Sequence, residues 1–184
     1  MREVELKSVV DDVQARRALV EAAGARLVYA GRLLDSRYDF SDRSLTQRDH
    51  VLRLRIYDDG VARRAMLDWK GETRYEHGYK VREEVSTPAE DADALAKILE
   101  MLGFVVTIQV DREIAQYEFG GAVIRFESYP EMDALVEVEG PPAAIESAIS
   151  ALGLPRAGFT SGRLTDFVAR FEARTGRRAI LSNM

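Results

Sequence analysis

The sequence predicts an α+β fold in which roughly eight strands form the body and four short helices lie on it. Three observations carry that prediction. Runs of alternating charged and apolar residues recur along the 184-residue chain. Four stretches instead show the three-to-four spacing of an amphipathic helix, each closed by a glycine. Turn signals such as Asp58-Asp59-Gly60 and Gly120-Gly121 separate the runs.

In chain order, residues 4–10 (VELKSVV) continue an alternation that begins at Glu3, the pattern of a strand with one charged face. Residues 11–23 (DDVQARRALVEAA) open on two acids and stop at Gly24, as a helix does. A long run at 26–40 and shorter ones at 51–57, 63–70 and 79–86 read as strands. Thr87-Pro88 leads into a second helix over 89–103, with Leu95, Ile98, Leu99 and Leu102 on its apolar side. Strands follow at 105–119, 122–127 and 134–140. Pro141-Pro142 opens a third helix over 143–153, and a fourth over 164–175 aligns Leu164, Phe167, Val168 and Phe171. Between these elements, Tyr129, Glu131 and Asp133 are assigned to a turn, and His50 and His77 to polar surface loops. Trp69 is assigned to the core. Arg170, Arg174, Arg177 and Arg178 are assigned to a solvated helix face and tail. No repeat or linker interrupts the series, so one domain over 1–184 is expected.

Composition narrows the function. Hydrophobic residues make up 46% and charged residues 31%, as in a globular chain. A net charge of −5 gives no electrostatic case for nucleic acid as a partner. With no cysteine, disulfides and thiolate metal sites are excluded, and a metal would need oxygen ligands or the two histidines. The start has no apolar core of a signal peptide, and no apolar run approaches the ~20 residues of a membrane span. The expectation is a cytoplasmic protein with no membrane partner.

The charged faces carry the chemistry. Alternation puts Arg53 with Arg55, Asp68 with Lys70, Arg125 with Glu127, and Glu137 with Glu139, each opposite apolar neighbours, and Lys80 with Arg82 and Glu84 on one face of their strand. With Glu3, Glu5, Lys7 and Arg112, the shared face collects eight cations and six glutamates. Such a sheet either bathes its charges in solvent beneath a helix-covered apolar face, or closes into a barrel with the charges inside. A closed interior is tolerable when it is wet and matched to a ligand, because each unpaired buried charge costs several kcal/mol. Arginines and lysines suit phosphate oxygens. Clustered carboxylates suit Mg²⁺ or Mn²⁺.

Several motifs then stand in order: Glu3-Val4-Glu5-Leu6-Lys7, Tyr38-Asp39, Leu52-Arg53-Leu54-Arg55, Lys70-Gly71, Lys80-Val81-Arg82-Glu83-Glu84, Leu102-Gly103-Phe104 and Val136-Glu137-Val138-Glu139. The series resembles that of CYTH proteins, the triphosphate tunnel metalloenzymes, which include class IV adenylyl cyclases, thiamine triphosphatases and inorganic triphosphatases. The resemblance implies an eight-stranded antiparallel closed β-barrel with surface helices, whose tunnel binds a triphosphate with Mg²⁺ or Mn²⁺. It implies metal binding by Glu3, Glu5, Glu137 and Glu139, with Glu84 and Glu127 as further acids. It implies phosphate contacts from Arg53, Arg55, Lys70, Arg82, Arg112 and Arg125, to which the strand pattern adds Lys80. Lys7, the candidate catalytic residue, is left with two roles: holding phosphate, or helping to activate a nucleophile with its pKa lowered by neighbouring cations.

Two positions depart from the family pattern. Val110 stands where many members carry the lysine of a Lys-x-Arg pair, leaving Arg112 alone and weakening the cyclase assignment. Glu127 stands where an aspartate is usual. The expected activity is at the phosphoanhydride of ATP, thiamine triphosphate or tripolyphosphate, as cyclisation of ATP to cyclic AMP and pyrophosphate or as hydrolysis. The alternative is a non-catalytic triphosphate or polyphosphate binder. Homodimerisation is left open.

Overall fold

The computed structural model describes residues 2–183. Among the described residues nine strands and five α-helices follow one another: β1 (Arg2–Val9), α1 (Val13–Ala22), β2 (Arg26–Asp39), α2 (Ser44–Gln47), β3 (Val51–Asp58), β4 (Arg63–Lys70), β5 (Arg74–Glu76), β6 (Tyr79–Ala89), α3 (Ala92–Met101), β7 (Val105–Phe119), β8 (Ala122–Ser128), β9 (Leu135–Glu139), α4 (Pro142–Leu152) and α5 (Leu164–Thr175). A 3₁₀ turn at Arg156–Gly158 precedes α5.

Every strand pairing is antiparallel, in the order β1-β9-β8-β7-β2-β3-β4-β6, and β6 pairs back onto β1 to close an eight-stranded barrel. The solvated open sheet is thereby ruled out. β1 effects the closure by splitting its edges: Arg2 to Glu5 pair with β6, and Glu5 to Val9 pair with β9. The short β5 adds outside the ring on β6. Gly120 and Gly121, with φ of 56° and 85°, make the tight β7–β8 hairpin, since two successive positive φ values match the strand twist.

The predicted elements recur with shifted ends. β6 runs on through Pro88 to Ala89, so the second helix begins three residues later than expected, at Ala92, where the Asp91 carboxylate caps Ala94 N–H at 2.9 Å. Helix α2 and strand β5, four and three residues long, are too short to show a periodicity in the sequence.

Outward apolar side chains form the main core. Leu6, Ile124, Phe126, Val136 and Val138 from the barrel meet Val20 of α1 and Ile145, Ile149 and Leu152 of α4. Each such burial contributes about 1.5–3 kcal/mol. Leu99 of α3 seals Leu54 and Tyr38 on another side. The barrel interior is not uniformly charged. Leu33, Tyr57 and Ile114 form one apolar cluster inside it, and Val110 and Leu135 join Phe167 of α5 in another. The charged residues lie between, as a barrel of this strand number leaves only side-chain-wide space.

Candidate active site in the barrel

Period-two alternation aims Glu3, Glu5 and Lys7 of β1 inward while Val4 and Leu6 face the helices. The same rule turns in Arg53 and Arg55 of β3, Asp68 and Lys70 of β4, Lys80, Arg82 and Glu84 of β6, Arg112 of β7, Arg125 and Glu127 of β8, and Glu137 and Glu139 of β9. All fourteen residues singled out in the sequence therefore meet in one interior. One cavity of about 270 Å³ reaches it past the start of α5 (Arg163, Leu164, Thr165); a second, of about 420 Å³, reaches it past Glu84 and Ser86. Arg53, Lys70 and Arg125 line both.

Strand register converts this set into a lattice of opposite charges. Directly opposed Cα pairs include Glu5 with Lys80, Lys7 with Glu137, Glu137 with Arg125, Arg53 with Asp68, and Lys70 with Glu84. The side chains follow. Lys7 and Lys80 both donate to Glu5 Oε1, at 2.9 and 2.5 Å. Lys7 also pairs with Glu137, which accepts from Arg125 at 2.7 Å. Arg53 reaches Asp68 at 3.0 Å, and Arg55 pairs with the same carboxylate, which has no exposed surface. Arg112 donates to Glu127 at 3.0 Å and to Asp35 at 3.3 Å.

The lattice fixes protonation. Burial works against the charge of Lys7, but Glu137 and Glu5 outweigh it and hold its proton more tightly than in water. Burial and the neighbouring Lys7 charge lower the pKa of Lys80, against the pull of Glu5. Of the two roles left open for Lys7, these surroundings favour the charged one. Glu5, though buried, stays well below the usual carboxylate range because Lys7, Lys80 and Lys70 surround it.

Three acids of this lattice also converge on one another, although Lys70 pairs with two of them, Glu3 and Glu84. Glu3, Glu84 and Glu139, from three adjacent strands, each bring a carboxylate oxygen within 4.8 Å of the others. Burial and then Glu137 and Glu3 push Glu139 up to about 7; burial and then Glu5 raise Glu3, despite its ion pair with Lys70. Glu3 Oε2 is buried without a hydrogen-bond partner. A divalent cation with oxygen ligands would relieve all three conditions, so this donor set fits Mg²⁺ or Mn²⁺. Glu5, Glu127 and Glu137, the other acids expected at a metal, lie in the same interior but are engaged by lysine, arginine or tyrosine.

Arg82 faces inward yet donates to the backbone carbonyls of Gly71 and Asp49, at 2.6 and 2.5 Å, tying two loops to β6. Four participants escaped the sequence reading. Asp35 and Arg37 share the inward face of β2, a run whose alternation in LLDSRYD could have shown them. Asp68 was placed on the charged face but not counted among its acids. Tyr129, expected in a turn, is buried against the site, where its hydroxyl donates to Glu127 at 2.6 Å. His50, expected as a surface residue, is half-buried at the cavity mouth, edge-on to Trp69 with ring centroids 5.1 Å apart. His77 is exposed, and Arg174 and Arg177 form exposed ion pairs with Asp133 and Glu131.

A CYTH domain family model matches residues 1–139. No curated protein sequence matches the chain. Solved structures share its fold at low identity. A "putative adenylate cyclase" from Vibrio parahaemolyticus is 20% identical with a TM-score of 0.76, covering 91% of this chain and 97% of its own. The PH1819 protein from Pyrococcus horikoshii OT3 is 21% identical with a TM-score of 0.75, covering 91% and 98%. A protein from Hippeastrum, described as a "putative adenylyl cyclase" that reveals a dominant triphosphatase activity, is 16% identical with a TM-score of 0.65, covering 100% and 99%.

Proposed function

Because this chain belongs to the CYTH family, we propose that it is a divalent-metal-dependent enzyme that binds a triphosphate in the barrel and cleaves a phosphoanhydride bond. The single observation that carries this reading is the three-carboxylate cluster of Glu3, Glu84 and Glu139 at one end of an interior lined with lysine and arginine. A polyanion needs the cations; ion pairing with the cations does not by itself explain why three carboxylates converge within 4.8 Å of one another. The non-catalytic binder is therefore the weaker reading.

In this mechanism Arg53, Arg55, Arg112 and Arg125 exchange part of their pairing with Asp35, Asp68, Glu127 and Glu137 for phosphate oxygens, and Lys70 exchanges part of its pairing with Glu3 and Glu84. Charge-assisted hydrogen bonds to carboxylate and phosphate are alike in geometry, so the exchange needs little rearrangement. The acids hold the guanidinium forks in place before the ligand arrives, which lowers the ordering cost of binding. Glu3, Glu84 and Glu139 would hold Mg²⁺ or Mn²⁺, whose chemistry is to neutralise phosphate charge and polarise the attacked phosphoryl group. Lys7 stays charged and holds phosphate. Lys80, whose pKa is lowered by burial and by the Lys7 charge, takes the part of proton acceptor from the nucleophile in its neutral form, after losing one of its ammonium protons.

Hydrolysis is the leading form of the reaction, since the interior contacts named above all suit phosphate or a cation. The cyclase form, with a ribose hydroxyl attacking the α-phosphorus, is favoured by the likeness to the Vibrio parahaemolyticus protein. Incubation with tripolyphosphate, ATP and thiamine triphosphate, each with Mg²⁺ and Mn²⁺, decides between them. Orthophosphate release supports hydrolysis; cyclic AMP with pyrophosphate supports the cyclase form. Tight tripolyphosphate binding without turnover of any substrate would establish the binder instead.

A further inference from the structure

Two directly opposed pairs in the barrel break the rule of opposite charges. One is Glu5 with Glu139, beside the carboxylate cluster. The other is Arg37 of β2 with Arg53 of β3. Like charges directly opposite on a sheet destabilise it. In the acid pair Glu5 is held by Lys7 and Lys80; the basic pair has no such counter-charge on Arg37 among the described residues and calls for an anion.

Arg37 has no ion pair among the described residues, and its Nε is buried without a hydrogen-bond partner. The nearest acid on its own strand, Asp35, is engaged by Arg53 at 3.7 Å and Arg112 at 3.3 Å. Its neighbour across the other edge is Ile108, and Val110 lies two residues further on the same face, so β7 supplies no counter-charge. A register shift between Arg37 and Tyr38 sets a bulge in β7 at Thr107, the kind of irregularity that re-aims a side chain. The guanidinium lines the cavity that opens past α5, at the opposite end of the interior from Glu3, Glu84 and Glu139.

We propose that Arg37, paired with Arg53, anchors the phosphate of the ligand that lies nearest the mouth bordered by α5. This rests on the triphosphate reading above and adds a residue to it. Arg37 is then a residue that the ligand-free protein tolerates at a cost and that the bound polyanion satisfies. A guanidinium facing another guanidinium does little for the fold, but two forks converging on one phosphate give a bidentate grip.

The test compares wild type with Arg37→Met and Arg37→Lys, and with Arg26→Met as a control at an exposed position paired with Glu118. Tripolyphosphate affinity is measured by calorimetry, in EDTA and again with Mg²⁺, and the ligand-free melting temperature is measured alongside. The expected result is an affinity loss of about tenfold or more in Arg37→Met, most of it restored in Arg37→Lys and none in the control. Arg37→Met should melt no lower than wild type, because it removes a repulsion. Wild-type affinity in Arg37→Met, or a melting temperature clearly lowered by the change, overturns the inference and marks a structural arginine. Failure of the wild type itself to bind tripolyphosphate in either condition overturns the triphosphate reading instead.

Discussion

Lys80 and Glu5 face each other across the β1–β6 seam that closes the barrel, with Lys80 Nζ donating to Glu5 Oε1 at 2.5 Å. The same oxygen accepts from Lys7, so two ammonium groups compete for one carboxylate. Lys7 has Glu137 as a second acid and keeps its proton; Lys80 has the weaker hold.

The two lysines should therefore fail differently. Lys80→Met is expected to lower kcat by about 100-fold, the range for loss of a general base, with a smaller effect on affinity. In wild type the rate should rise with pH as Lys80 loses its proton, and this limb should vanish in the variant. Lys7→Met should instead weaken tripolyphosphate binding by about tenfold. A pH–rate profile with calorimetry separates the cases, and a rising limb that survives in Lys80→Met rejects its role.

Glu3→Gln and Glu139→Gln should each raise the Kd for Mn²⁺ by about tenfold or more, since each removes a charged oxygen ligand. Calorimetric titration of Mn²⁺ in the absence of substrate reads this directly. Glu131→Gln, at an exposed ion pair with Arg177, serves as the comparison and should leave the titration unchanged.

Stability without metal should peak in mildly acid solution. Glu139 carries a folded-state pKa raised from 4.5 to about 7, so between those values the native state binds more protons than the unfolded chain, and stability falls as pH rises. Asp35 behaves oppositely: burial opposes its charge, but Arg53, Arg112 and Arg55 outweigh it and depress its pKa below 3.8. Its contribution is present above that value and is lost as pH falls through the folded pKa. Urea midpoints followed from pH 8 down to about pH 1.5 should show both slopes, the lower one only below pH 3.8; Mn²⁺ should offset the upper one, and Glu139→Gln should flatten it.

Asp39 should prove structural. Its carboxylate accepts from the backbone N–H groups of Phe40, Leu45 and Thr46 and from the Thr46 hydroxyl at 2.6 Å, pinning α2 beside the mouth. Asp39→Ala should cost about 2 kcal/mol in urea unfolding. It should also speed amide exchange through residues 44–49 while leaving Mn²⁺ binding intact.

Much of the site was legible because a strand has a side-chain period of two. Once EVELK, VLRLRIY and AVIRFE are read as strands, Glu3, Arg53 and Arg125 must each share a face with their second neighbours. Asp35 and Arg37 obey the same rule, but the fourteen residues of β2 mix apolar and polar side chains on both faces, so its charged face is less distinct. Tyr129 could not be read this way. It follows the last residue of β8, and only the turn of the chain toward β9 brings its hydroxyl to Glu127.

The sequence by itself determined which side chains share a face, and that one face is charged, because Cβ direction flips with every residue. The tertiary structure decided which charges meet. Closure of β6 onto β1, with Glu3 opposite Arg82 and Glu5 opposite Lys80, gathers Glu3, Glu84 and Glu139 while giving Glu5 to two lysines. It also sets Arg37 against Arg53. Alternation is blind to such choices, because sliding one strand by two residues keeps every side chain on its face and changes every partner.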